Sequence, residues 1–213
     1  YSISDGGTDW RIWHFREVAT GKDLPDTLRH IKFREPEWTA DSRAVYYARY
    51  PQAANGAGDD SKQMSVYRHR LGAPTSDDAH IYSITDHPTR NPYVQISDDG
   101  RYSIFWLYDG SQSTGIYYRK IRADGAPEGE TVRLLDGFDA NYQFIAEIDD
   151  VFYIRSNKGT PNAQVVAIPV GSASASKNSR VVVPETQFSA DEVTIVGGKI
   201  IVRYLQDAHT LVR

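Results

Sequence analysis

The chain has 213 residues, of which 40% are hydrophobic and 24% charged, which is enough to bury a core and too apolar for a disordered segment. Its net charge of −4 argues against a nucleic-acid partner, which needs a basic footprint, and no apolar run nears the roughly 20 residues that span a bilayer, so no membrane partner is expected. The absence of cysteine excludes disulfides, thiol nucleophiles and zinc–thiolate centres, and it leaves a soluble location in cytoplasm or periplasm equally open.

In chain order, Tyr1-Ser2-Ile3-Ser4 has neither the basic start nor the apolar stretch of a signal peptide. It has the phase of Tyr46-Tyr47-Ala48-Arg49 and reads as a strand entered mid-unit, as in a fragment. A strand follows at 10–18, then the turn Ala19-Thr20-Gly21-Lys22. Residues 23–29 are the best helical candidate, with Pro25 inside it. Strands rich in Val, Ile, Thr and Tyr are expected at 44–49, 65–71, 80–85, 93–96, 102–107, 115–122, 131–134 and 142–146. They continue at 151–155, 164–170, 180–183, 192–196, 199–204 and 210–213, separated by Asp- and Gly-bearing turns. About fifteen short strands with so little helical signal predict an all-β antiparallel protein.

A repeat refines that class. Trp38-Thr39-Ala40-Asp41-Ser42-Arg43-Ala44-Val45-Tyr46-Tyr47 matches Ile96-Ser97-Asp98-Asp99-Gly100-Arg101-Tyr102-Ser103-Ile104-Phe105, and weaker copies centre on Asp149-Asp150 and Gly197-Gly198. Ser42, Gly100, Asp149 and Gly198 are then equivalent, about 50 residues apart with about four strands per step. Four-stranded units at that period predict a β-propeller of antiparallel blades, with a sandwich second. The chain holds about four repeats and one or two further strands. Its uncovered blade flanks are expected to self-associate unless the first and last strands pair and close a smaller ring. Residues 50–62 read as a long mobile rim loop, either a surface insertion or a binding and gating loop, and residues 171–179 as a hairpin connection.

Catalytic motifs are missing: there is no Gly-x-Ser-x-Gly, no Gly-x-Gly-x-x-Gly, no P-loop and no His-Glu-x-x-His. No catalytic residue, metal site or cofactor is expected. His69 reads as a solvent-facing strand residue and His87-Pro88 as a turn. The doublets Asp59-Asp60, Asp77-Asp78, Asp98-Asp99 and Asp149-Asp150 read as turn caps rather than a glycosidase pair. Trp38 and Trp106 read as inter-blade core, with a sugar-stacking platform of Trp10, Trp13, Trp38 and Trp106 as the alternative.

Several runs carry a family resemblance. They are Gly6-Gly7-Thr8-Asp9-Trp10, Ala19-Thr20-Gly21-Lys22-Asp23-Leu24-Pro25-Asp26, Trp38-Thr39-Ala40-Asp41-Ser42-Arg43, Tyr46-Tyr47-Ala48-Arg49-Tyr50-Pro51 and Val94-Gln95-Ile96-Ser97-Asp98-Asp99-Gly100-Arg101-Tyr102. Toward the end come Pro161-Asn162-Ala163-Gln164-Val165-Val166, Val182-Val183-Pro184-Glu185 and Tyr204-Leu205-Gln206-Asp207-Ala208. In order and spacing the chain resembles the non-catalytic propeller domain of the prolyl oligopeptidase family of serine peptidases.

The resemblance implies a seven-bladed propeller, of which residues 1–213 are an incomplete set of about four to five blades. It also implies an α/β-hydrolase domain, absent from this chain, that holds the Ser-Asp-His triad and cleaves short proline-containing peptides on the carboxyl side of proline. The propeller would cover that site and gate substrate size. By the same resemblance Tyr46 is the aromatic that lines the pocket three residues before the cut, the alternative for it being inter-blade core. Asn91, Tyr108 and Ser111 form further walls, although they differ in type from the apolar, cationic and thiol residues common in relatives. A stand-alone propeller that binds a peptide or protein is the other reading.

Overall fold

The computed structural model describes residues 1–4, 6–87, 89–108, 110, 112–171 and 178–213. Their strands fall into five antiparallel sheets that follow one another along the chain. β1 (Ser2–Ser4), β2 (Trp10–Arg16) and β3 (Asp23–Lys32) form the first. β4 (Glu37–Trp38), β5 (Ala44–Arg49), β6 (Ser65–Arg70) and β7 (Ala79–Tyr82) form the second, and β8 (Asn91–Ile96), β9 (Tyr102–Tyr108), β10 (Thr114–Ile121) and β11 (Pro127–Leu135) the third. β12 (Tyr142–Ile148), β13 (Val151–Ser156), β14 (Gln164–Pro169) and β15 (Arg180–Val183) make the fourth, and β16 (Ser189–Val196), β17 (Lys199–Gln206) and β18 (His209–Val212) the last. In every sheet spatial order is chain order, the up-and-down meander of a propeller blade. Among the described residues the first and last sheets share no strand, so no blade common to both is formed. Among the described residues no helix is long and apolar enough to cross a membrane.

The repeat turns match at atomic level. Ser42, Gly100, Asp149 and Gly198 all have positive φ, at 55°, 72°, 52° and 74°. In the turn after β4, Thr39 Oγ1 donates to Asp41 Oδ1 (2.7 Å), the Arg43 amide donates to the same oxygen (3.1 Å), and the Ala44 amide donates to Thr39 Oγ1 (3.1 Å). After β8, Ser97, Asp99, Arg101 and Tyr102 repeat those bonds at 2.7, 3.0 and 3.0 Å. The two weaker copies are shorter. Ile148 pairs with Val151 and Val196 with Lys199, which leaves two-residue loops, Asp149-Asp150 and Gly197-Gly198, positive in φ throughout, as a type I′ hairpin requires.

Stacking sheets side by side buries the middle strands on both faces. On β5, Val45 and Tyr47 join Phe15, Leu28 and Ile31 of the first sheet, whereas Tyr46 and Ala48 join Phe105, Leu107 and Tyr117 of the third. On β9, Phe105 and Leu107 face back toward β5, while Tyr102 and Ile104 meet Phe144, Phe152 and Ile154 of the fourth sheet. Alternating side chains thus serve successive interfaces. The last interface is built around Ala163, Ala190, Val202 and Tyr204.

Four expectations are corrected. Residues 23–29 are not helical but belong to β3, the outer edge of the first sheet. An edge strand tolerates Pro25, which has no N–H to give, and tertiary burial of Asp26, Leu28 and Ile31 overrides a weak local pattern. His69 is fully buried rather than solvent-facing, because the first sheet covers its face of β6. The Asp78 carboxylate caps no turn: it is buried and bound to His69 and Tyr47, and only the Asp78 amide closes the preceding turn. Trp38 is 48% exposed, with one ring edge on Phe15 at 5.6 Å, so it is a margin of the interface and not its core.

Ion pairs stitch the third and fourth sheets together. Arg101 pairs with Asp99, and donates to Glu147 Oε1 (2.8 Å) and Asp150 Oδ1 (3.0 Å). Burial raises the Asp99 pKa, but hydrogen bonds from Arg101 and Ser97 outweigh it and hold the carboxyl at about 2. The neighbouring Glu147 is almost wholly buried; burial and Asp99 push its carboxyl up. Arg101→Met is expected to cost about 1–2 kcal/mol at neutral pH, less than a fully buried pair because the guanidinium is half-exposed. The cost shrinks as pH falls from about 4 to 2, because Asp99 stabilises the fold only while ionised, and a protonated Glu147 no longer needs a counter-charge. Urea midpoints of both proteins across that range check it; a cost independent of pH would discount the ion pairs.

Candidate functional site

The antiparallel meander sends the connections after β3, β5, β7, β9 and β11 to one rim, and hydrogen bonds tie them together there. The Tyr50 amide donates to the His30 carbonyl (2.9 Å), and Lys32 Nζ bonds Asp60 Oδ2 (2.6 Å). Gln63 Nε2 donates to the carbonyls of His87 (2.5 Å) and Arg90 (2.8 Å), and Asn141 Nδ2 to that of Gln112 (3.0 Å). Residues 50–64 are therefore latched to the first and third sheets and do not form a free loop. At Gly58 an added Cβ would lie 2.5 Å from the Trp10 ring, so only glycine lets this segment lie flat on the first sheet. The hairpin stretch 171–179 includes 172–177, which lie outside the described residues.

On this rim Asn91 opens β8 and stands directly opposite Tyr108, which closes β9. The Asn91 side chain is already engaged, its Oδ1 accepting the Met64 amide (2.8 Å), so it fixes the end of the 50–64 segment. Tyr108 stacks on Trp106 at 5.7 Å, Trp106 lies 5.5 Å from Tyr93, and the Arg34 guanidinium sits 5.4 Å from the Trp106 ring centre. Burial pushes the Tyr93 hydroxyl up to about 12.

Below this cluster a cavity of about 540 Å³ runs between the first strands of the four later sheets, walled by Glu37, Tyr93, Gln95, Trp106, Gln143 and Val193. Glu37 is pushed up by burial and by the charge of Glu35 beside it. The channel is thus amphipathic, with carboxylates, amides and aromatic rings.

The expected wall residues separate. Asn91 and Tyr108 meet on the rim. Ser111 lies outside the described residues. Tyr46 lies 0% exposed between the second and third sheets, and its hydroxyl donates to the Gly125 carbonyl (2.9 Å), the inter-blade position left open above.

One exposed aromatic on the rim was not anticipated. Phe33, between β3 and β4, is 54% exposed with φ of 68°, and the Arg34 amide donates across it to the Lys32 carbonyl (2.8 Å). This is a γ-turn of the strained hand, unusual for a bulky residue. Such strain concentrates at ligand sites. The available signal was a lone Phe among Lys32, Arg34 and Glu35, where no strand alternation would bury it.

The family model for the prolyl oligopeptidase N-terminal β-propeller domain matches residues 1–213. Prolyl oligopeptidase A of Galerina marginata is 28% identical over 216 residues, which is 92% of this chain and 29% of that protein. The prolyl endopeptidase of Elizabethkingia meningoseptica is 26% identical over 210 residues, 98% of this chain and 29% of its own length. A solved prolyl endopeptidase, analysed for the role of inter-domain dynamics in catalysis and specificity, superposes with a TM-score of 0.88 at 28% identity, over 100% of this chain and 30% of that one. This chain thus spans under a third of the relatives it matches.

Proposed function

Because the chain belongs to the prolyl oligopeptidase family, as its N-terminal β-propeller domain, we propose that it is the non-catalytic cover of a serine peptidase that cleaves short peptides after proline. The observation that carries this reading is the propeller match over the whole chain, in a sequence without a nucleophile elbow. In this role the chain contributes blades of a seven-bladed ring and partners an α/β-hydrolase domain that supplies Ser, His and Asp for acyl transfer. A latched rim and a channel walled by side chains favour admitting extended peptides and excluding folded proteins. The rim cluster of Phe33, Arg34, Asn91, Trp106 and Tyr108 meets the peptide on the amino side of the proline, through ring stacking and a cation. Tyr46 packs between the second and third sheets and bonds the turn after β10, at the end opposite this rim.

The pure chain is expected to show no turnover of a chromogenic Gly-Pro substrate, since it has no Gly-x-Ser-x-Gly elbow. The complete peptidase should cut a ten-residue proline-containing peptide and spare the same sequence inside a folded domain. Turnover by the chain alone, freed of host peptidases, or equal cleavage of both forms by the complete enzyme, would overturn the reading.

A further inference from the structure

A buried charge cluster lies away from the rim, between the first and second sheets. His69 on β6 is fully enclosed. Its Nδ1 lies 2.6 Å from Asp78 Oδ1 and its Nε2 lies 3.0 Å from Asp26 Oδ1, with both carboxylates at most 2% exposed. Asp26 comes from β3 of the first sheet, Asp78 from the segment leading into β7. Each carboxylate accepts one further hydrogen bond. Asp78 Oδ2 accepts the Tyr47 hydroxyl (2.5 Å) from β5, and Asp26 Oδ1 accepts the Gly72 amide (2.5 Å). Burial and the carboxylate of Asp78 push the Tyr47 hydroxyl far up, so it remains a donor, and Arg49 lies over the Tyr67 ring beside it. From β2 the facing group is the uncharged Phe15 ring, 6.4 Å from the imidazole.

We propose that Asp26, His69 and Asp78 form a proton-dependent clamp that locks the first two blades together. Ionised carboxylates only accept hydrogen bonds, so both are satisfied only if the imidazole donates from both nitrogens, that is, as the imidazolium. Loss of that proton turns one ring nitrogen into a lone pair facing a buried carboxylate at 2.6 or 3.0 Å. Burial alone lowers the His69 pKa; the bonds to Asp78 and Asp26 outweigh it and leave the value above that of an ordinary histidine. A group raised in the folded state stabilises fully below its unfolded value, near 6.5, and the contribution disappears as pH rises through the folded value. The clamp is therefore closed below the ordinary histidine value and is released as pH rises through the raised folded value. It joins β3 to β6, so its release loosens the first sheet against the second, which the apolar core around Leu28 and Tyr47 still holds, and leaves the other interfaces intact.

Hydrogen exchange of the full chain, read by mass spectrometry from pH 6 to 10 and corrected for intrinsic rates, tests it. Protection of peptides covering 23–32 and 65–70 is expected to fall at least tenfold relative to those covering 151–156 and 164–169. His69→Gln should show the low protection already at pH 6 and no further fall. A constant protection ratio in the native protein, or an unchanged pH response in His69→Gln, would overturn the proposal. If that variant does not fold, nitrogen NMR of the native His69 ring decides: two protonated nitrogens at pH 6 are expected, and a neutral ring there refutes the clamp.

Discussion

Tyr46→Ala is expected to cost about 3–5 kcal/mol of stability, the range for deleting a fully buried aromatic whose neighbours cannot collapse into the space. Tyr46 is 0% exposed and packs with Phe105, Leu107 and Tyr117 across the second and third sheets, so the void would open at a seam between sheets. Tyr46→Phe separates packing from hydrogen bonding. It keeps the ring and loses only the bond to the Gly125 carbonyl, at about 1 kcal/mol. The acceptor is itself fixed. Gly125 has φ of 71°, and a Cβ there would stand 2.5 Å from Thr39 Cγ2, so the turn after β10 touches the end of β4 with nothing between. Urea unfolding of the three proteins gives the ordering. Equal small losses for Ala and Phe would place Tyr46 outside the core and restore it as a pocket wall.

Phe33 is expected to dominate peptide recognition on the rim. In the complete peptidase proposed above, Phe33→Ala should raise KM about tenfold or more for substrates with a bulky residue upstream of the proline pair and leave kcat nearly unchanged. That is the signature of lost uniform binding worth about 1–3 kcal/mol. Dipeptide-length substrates should not respond. Phe33→Gly provides the discriminating control. Glycine occupies φ of 68° without strain, so this variant should be about 1 kcal/mol more stable than the native protein while showing the same KM defect. Stabilisation without any change in KM would make Phe33 a turn residue only.

The propeller was legible because its marks are local. The Thr/Ser-x-Asp-x-Arg turn carries its own hydrogen bonds, from Thr39 to Arg43 and again from Ser97 to Arg101, and the two-residue loops Asp149-Asp150 and Gly197-Gly198 announce their own φ. Residues 23–29 misled because Pro25 and the charged neighbours leave no clean alternation. What fixes them as strand is the first sheet's contact with β5, which sequence spacing does not register.

Candidate site residues were harder to read for the same reason. Tyr46 and Tyr47 are adjacent and alike in type, yet alternation sends one toward the third sheet and the other toward the first. Phe33 has no partner pattern, because a rim residue is defined by what it does not touch. His69, in the polar run Tyr67-Arg68-His69-Arg70, looks solvated until Asp26, 43 residues earlier, covers it.

The sequence by itself determined the strand-and-turn alternation and the roughly 50-residue repeat, properties of short segments with their own geometry. Only the tertiary structure decided which aromatic faces a neighbouring blade and which faces the rim, and that a histidine between two aspartates joins the first blades. Those outcomes depend on which sheet lies against which, through burial and desolvation summed over residues distant in the chain.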